Sequence, residues 1–166
     1  MLIDPEIREA SEMLLVGMSV QTTQSTDNPL PLWQQFMPQI KTISDHIENV
    51  YYSVQIFPEH LSFQEFTPDT EFQKWAAVQV TTKHTPADGM KLLTVPSGKY
   101  AIFTHHGRSS TIYKTMQYIF GMWLPNSAYQ LDNRPQLSIM DKDYFGPDHQ
   151  DSKEEIWIPV SRKEMS

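Results

Sequence analysis

The chain contains no cysteine, which excludes disulfide frameworks, thiolate nucleophiles and cysteine-ligated zinc together. Glycine is scarce, at 6 residues in 166. None of these glycines falls in the Gly-x-Gly-x-x-Gly or Gly-Lys-Ser/Thr patterns that cradle phosphates, nor in a Gly-x-Ser-x-Gly nucleophile elbow. Uninterrupted apolar runs stop at four residues, as in Tyr100 to Phe103. A helix crossing a bilayer needs roughly 20. Positive charge is also short: 13 Lys and Arg stand against 20 Asp and Glu, for a net charge of −7. Neutralising a phosphate backbone takes clustered cations, so direct nucleic-acid contact is disfavoured. Asp4, Glu6, Glu9 and Glu12 occupy the region where a signal peptide carries positive charge. The expectation is a cytoplasmic globular protein, one domain over residues 1–166, with no membrane and no nucleic-acid partner.

Metal ligands are no better represented. His46, His60, His84, His105, His106 and His149 are scattered, and the adjacent pair His105–His106 points to opposite faces of any strand. The stretch from Asp141 to Gly146 begins like a calcium loop, but Phe145 and Ser152 stand where ligands belong. Neither a metal nor a cofactor is expected.

What the chain does have is regular punctuation. Residues 14–22 read as a strand. Pro29 and Pro31 suit the start of a helix whose apolar stripe is Leu32, Phe36, Ile40, Ile43 and Ile47, with Pro38 set to bend or break it. Strands follow at 51–57 and 72–82, with a long connection over 58–70. Two further runs, 91–95 and 99–106, are separated by Pro96-Ser97-Gly98. A second helix begins near Ser109 or Ser110, presents Ile112, Met116, Ile119, Phe120 and Trp123, and stops at Pro125. Strands at 136–141 and 154–160 complete the chain. The order strand-helix-strand-strand thus occurs twice, over about 14–82 and 98–160, with counterparts shifted by 79–85 residues. Such an order predicts an α+β fold: tandem β-α-β-β units forming an antiparallel sheet with two helices on one of its faces.

One acid stands apart. On a strand over 154–160, Glu155 and Trp157 share a face while Ile156 and Ile158 share the other. The isoleucines suit the helix-covered side. Glu155 then lies on the opposite side, either in water at a strand edge or in a hollow walled by aromatics. Aromatics make up 11% of the chain, and Tyr51, Tyr52, Trp75, Tyr100, Phe103 and Trp157 all fall on expected strands. Trp33, Phe36, Phe120 and Trp123 belong by spacing to helix cores.

The stretch Val95-Pro-Ser-Gly-Lys-Tyr-Ala-Ile-Phe-Thr-His-His-Gly107 resembles the signature of the GyrI-like small-molecule-binding domain, the effector-binding half of AraC-type and multidrug-sensing regulators. The likeness continues through Tyr118-Ile-Phe-Gly-Met-Trp-Leu-Pro-Asn-Ser127, Arg134-Pro135 and Glu155-Ile-Trp-Ile-Pro-Val160. It extends more loosely through Val16-Gly17, Trp33 to Pro38 and Ala76 to Val80. The resemblance implies two β-α-β-β units about a pseudo-two-fold axis and a hollow that takes amphipathic, often cationic, organic compounds. The final-strand acid, here Glu155, would face that hollow. Candidate lining residues beside it are Trp157, Trp75, Tyr100 and Phe103, with Tyr118, Trp123 and Tyr144 as further aromatics. One departure is Lys74, next to Trp75, where relatives often place an aromatic. A lysine there would weaken selectivity for cations.

The function implied is a stand-alone effector-binding domain for lipophilic or cationic ligands, associated with bacterial transcription regulation or toxin resistance. Two alternatives remain open. One is a GyrI-like hydrolase of electrophilic genotoxic compounds, with Glu155 as general acid or base and Tyr100 or Tyr144 assisting. The other is an interaction protein of the DNA-gyrase-inhibitor kind, with a protein partner.

Overall fold

The computed structural model describes residues 4–58, 67–83 and 85–163. The expected strands form, with no end shifted by more than three residues: β2 (Met13–Thr23), β3 (Tyr51–Ile56), β4 (Glu71–Gln79), β5 (Lys91–Val95), β6 (Gly98–His106), β8 (Gln136–Met140) and β9 (Lys153–Arg162). Two short strands were not expected, β1 (Glu6–Ala10) and β7 (Tyr129–Leu131). Both are largely exposed at the sheet's margins, β1 with Glu6, Arg8 and Glu9 among its five residues. Charge on an exposed edge strand discourages pairing with other chains, and it also hides the strand from an apolar pattern. The connection over 58–70, together with His60 and His84, lies partly outside the described residues.

Pro31 sits in the first turn of α1 (Leu30–Phe36), where its missing N–H costs nothing. Pro38 then ends the α geometry, and the chain continues as a 3₁₀ helix over Met37–Thr42. The single helix expected from the 32–47 stripe is therefore two short pieces. Ile47 lies beyond both and is exposed. The second helix, α2 (Ile112–Tyr118), widens into a π turn over Ile119–Trp123 and closes with α3 (Leu124–Asn126) around Pro125.

Among the described residues the sheet runs β1-β6-β9-β8-β3-β4-β2-β5, all neighbours antiparallel, with β7 added to β9. The register exposes a repeat within this order. A shift of 83 residues takes Val54 to Leu137, and these two residues pair with each other where β3 meets β8. A pseudo-two-fold axis therefore passes between them. The same shift takes Arg8 to Lys91 and Gly17 to Tyr100, and the pairs Arg8–Tyr100 and Lys91–Gly17 exchange under it. Each half thus sends its first strand across to edge the other half. The repeating unit is β-β-α-β-β with an exchanged leading strand, one strand longer than the sequence pattern suggests.

This connectivity curls the sheet. β5 and β6 lie toward opposite ends of the strand order, yet only Pro96 and Ser97 join them. Two intervening residues span no more than about 11 Å, so the two ends must approach each other. The packing agrees: Val95 of β5 shares one buried cluster with Tyr100 and Ile102 of β6. That cluster (Leu15, Tyr52, Val54, Trp75, Ala77, Leu137, Ile139 and Trp157 with them) is the inside of the roll and contains no helix residue. The outer face carries both helices. Val16, Met18, Ala76 and Val78 pack under α1 with Leu32 and Phe36. Ala101, Phe103, Ile156 and Ile158 pack with Ile119, beside Ile112 and Met116 of α2.

Candidate functional site

Alternation along β9 separates two neighbouring acids. Glu154 points outward beneath α2, where it is buried opposite His105 on β6. Burial raises its pKa, against the opposing pull of His105 and Lys74. His105 is held by donating from Nε2 to the Arg108 carbonyl at 3.0 Å, while Nδ1 meets the Thr115 hydroxyl at 2.7 Å. Glu155 points inward, half-buried, on the same face as Trp157. The Trp157 indole N–H donates to Glu155 Oε1 at 3.2 Å. Side chains two apart on a strand share a face, so this pair lies along its own strand and leaves the second carboxylate oxygen outside that bond.

Around the pair the register fixes the neighbours. Glu155 sits opposite Ile139 on β8 and Thr104 on β6, and Ile139 is followed across β3 by Tyr52. Tyr52 donates its hydroxyl to Gln79 Oε1 at 3.0 Å. Burial first, then the negative charges of Glu155 and Asp141, push Tyr52 up to about 12. Thr104 is exposed while Tyr52 and Ile139 are buried, so Glu155 stands at the rim of the roll with the apolar interior behind it. Trp157 meets Tyr100 with ring centroids 5.4 Å apart, and the Arg8 guanidinium lies 5.2 Å from the Trp157 ring centroid. Tyr100 is capped in turn: its hydroxyl donates to the Pro135 carbonyl at 3.0 Å, and the Arg134 guanidinium stacks on it at 4.7 Å. Arg134 also donates to Asp132 and to the carbonyls of Lys99 and Val160.

Four of the sequence candidates are therefore brought to one face: Glu155, Trp157, Tyr100 and Trp75 all look into the roll, the last three buried. Four are not. Phe103 packs edge-on against Trp123 at 5.2 Å and Tyr118 at 6.5 Å, under α2 on the outer face. An odd-numbered β6 residue such as Phe103 alternates away from Ile102, which explains its side. Tyr144 lies in the β8–β9 connection, near Ser109, Glu154 and Asp148. Lys74 also corrects an expectation: it points outward with Ala76, buried, and its Nζ pairs with Asp27 Oδ2 at 2.5 Å. It brings no positive charge to the inner face. An open groove of about 420 Å³ lies on the helix side as well, lined by Ile40, Lys41, His46, Ile47 and Tyr51 among others, away from Glu155. Among the described residues no group of His, Asp and Glu gathers with the spacing of a metal site, and no helix is long and apolar enough to cross a membrane.

Sequence reasoning missed Gln73 and Arg8, and named Tyr52 only among the strand aromatics. Gln73 had a readable signal. Gln73-Lys-Trp75 repeats Glu155-Ile-Trp157 at a shift of 82 residues, and the Trp75 indole N–H donates to Gln73 Oε1 at 3.2 Å, as Trp157 does to Glu155.

A rolled antiparallel sheet built from two repeats, with helices outside, defines an α+β module. The profile of the GyrI-like small molecule binding domain matches residues 3–161, and the chain belongs to that family. It is 26% identical over 155 residues to the transcriptional regulator BrlR of Pseudomonas aeruginosa, covering 93% of this chain and 54% of BrlR. The chain thus spans about half the length of that regulator. Its fold is similar to SAV2435, solved bound to tetraphenylphosphonium (TM-score 0.71, 16% identity, 96% of this chain and 94% of that one). It is also similar to the EcmrR C-terminal domain (TM-score 0.69, 12% identity, 98% of this chain and 100% of that one). At these identities the two structures speak for the fold alone.

Proposed function

We propose that the helix-free face receives amphipathic organic cations, Glu155 taking the positive charge and Trp157 the apolar or aromatic surface beside it. The domain would then serve as the ligand sensor of a regulatory or resistance function. The observation that carries this reading is the Glu155–Trp157 pair: a carboxylate at the edge of an aromatic interior, with Lys74 of β4 turned to the opposite face and paired with Asp27. Arg8 supports it from within the molecule, because it already holds a cation against the Trp157 ring at cation–π distance. The aromatic lining is buried as it stands, so a ligand enters by swinging Trp157 away from Glu155. That motion gives up the hydrogen bond to Glu155 together with the ring's packing on Tyr100 and Arg8. The ion pair formed with Glu155 and the ligand's own apolar surface take their place.

Titrating the protein with tetraphenylphosphonium, followed by calorimetry and by tryptophan fluorescence, tests the proposal. Glu155→Gln keeps an acceptor for the Trp157 N–H, as Gln73 does for Trp75, and removes only the charge. Loss of one charge-assisted contact, about 1.5–3 kcal/mol, weakens binding at least tenfold, and the neutral analogue triphenylphosphine oxide binds parent and variant alike. Equal affinity of parent and variant for the cation would falsify the reading.

A further inference from the structure

The two tryptophan–acceptor pairs are the same structural device in two halves of the molecule. Trp75 pairs across the sheet with Val54 and Ser19; Trp157 pairs with Leu137 and Ile102. Both indoles are buried in one cluster, 4% and 6% exposed, with Val54 and Leu137 between them. On the sheet the row Trp157–Leu137–Val54–Trp75 crosses three strand spacings, roughly 14 Å. The pseudo-two-fold carries Glu155 to Gln73 and the exposed Thr104 to the exposed Gln21, which lies opposite Gln73. The inner face therefore has two equivalent rims at opposite corners of this row. They differ in charge. Gln73 Oε1 accepts the Trp75 N–H, which leaves its amide nitrogen as a donor, whereas Glu155 offers only acceptors.

We infer that Gln73 and Trp75 form a second, uncharged subsite of the same ligand face, and that Gln73 sets selectivity for ligands with a single positive centre. The ligand class is an elongated amphipathic monocation: the charge lies at Glu155, and the far end is neutral and lies beside Gln73 and Trp75. A dication of the same length would set its second charge beside an amide that offers no counter-charge, so the second charge adds no affinity. This rests on the reading of Glu155 given above.

Decyltrimethylammonium and decamethonium share a decamethylene chain and differ in carrying one or two quaternary ammonium ends. In the parent protein the single cation binds as tightly as the double one or tighter, and Glu155→Gln weakens it. Gln73→Glu, a change at an exposed residue, places carboxylates at both rims and shifts the ratio of affinities toward decamethonium at least tenfold. Gln73→Leu, which adds no charge, leaves that ratio within a factor of three. If decyltrimethylammonium binds the parent through Glu155 but Gln73→Glu leaves the ratio unchanged, the two rims do not serve one ligand and the inference fails. If the parent binds it with no dependence on Glu155, the receptor reading itself fails.

Discussion

The two halves of this molecule share a backbone plan and little else. At equivalent places the first half has Gly17, Lys74 and Gln73 where the second has Tyr100, Ile156 and Glu155. Gly17 lies so close to its partner that a Cβ would stand 2.1 Å from the Ala76 carbonyl oxygen. Tyr100, its counterpart, fills the interior with a whole ring and is 0% exposed. The interior is thus filled unevenly, with a whole ring in one half at the place where the other half has no side chain. Outside, Ile156 packs under α2, while Lys74 reaches Asp27. Register and the alternation of apolar faces hold the plan in common. Identity at any single position is free to diverge, and the charge difference between the two rims is one product of that freedom.

Equalising the halves should be costly where the packing is asymmetric. Gly17→Ala forces a backbone carbonyl to move and should destabilise the fold by about 3 kcal/mol, the upper range for overpacking. Tyr100→Phe loses only the hydrogen bond to Pro135, about 1 kcal/mol. Urea unfolding of both variants measures the contrast, and equal midpoints would contradict it.

A smaller effect separates the two buried tyrosines. Burial pushes both Tyr52 and Tyr100 up to about 12 from the usual 10. A folded-state pKa raised above the unfolded value means that the neutral form is favoured by folding. The stability involved is present below pH 10 and is lost as pH rises from about 10 to about 12, roughly 2–3 kcal/mol per tyrosine. Glu155 adds to the shift of Tyr52 and is not among the influences on Tyr100. Absorbance titration near 295 nm should therefore show Glu155→Gln lowering one tyrosine's titration point while the other stays fixed. Two unmoved tyrosines would mean that Glu155 does not face Tyr52.

The mildest expected change concerns Arg8, which sits on Trp157 and also pairs with Glu6 at 2.6 Å. Its shift-equivalent, Lys91, makes no such contact with Trp75 among those described. Arg8→Gln frees the indole face for a ligand cation and should tighten tetraphenylphosphonium severalfold by calorimetry. Weaker binding would show that Arg8 assists the site instead of competing for it.

Much of this was legible in the amino-acid order. The duplicated element order, the two apolar helix faces and the parity that sends Glu155 and Trp157 away from Ile156 all follow from periodicity. Parity also carried an answer that went unused: Lys74 and Phe103 occupy the outward phase of their strands, so neither could share a face with Trp75 or Tyr100. What periodicity does not encode is partnership. That β1 edges β6 and β5 edges β2 depends on contacts between residues distant in the chain. The charged, five-residue β1 gives no local sign of it. The roll itself follows from those partnerships, and with it the burial of Trp75 and Trp157 in a common interior.

The exchanged leading strands have a consequence for assembly. Cutting the chain between β4 and β5 would leave each fragment without the edge strand that completes it, and each would carry a strand whose ladder belongs to the other piece. The two fragments are complementary in the manner of a strand-swapped homodimer fused into one polypeptide. Fusion is what allows an acid at one mouth and an amide at the other, a distinction that no assembly of identical copies could keep.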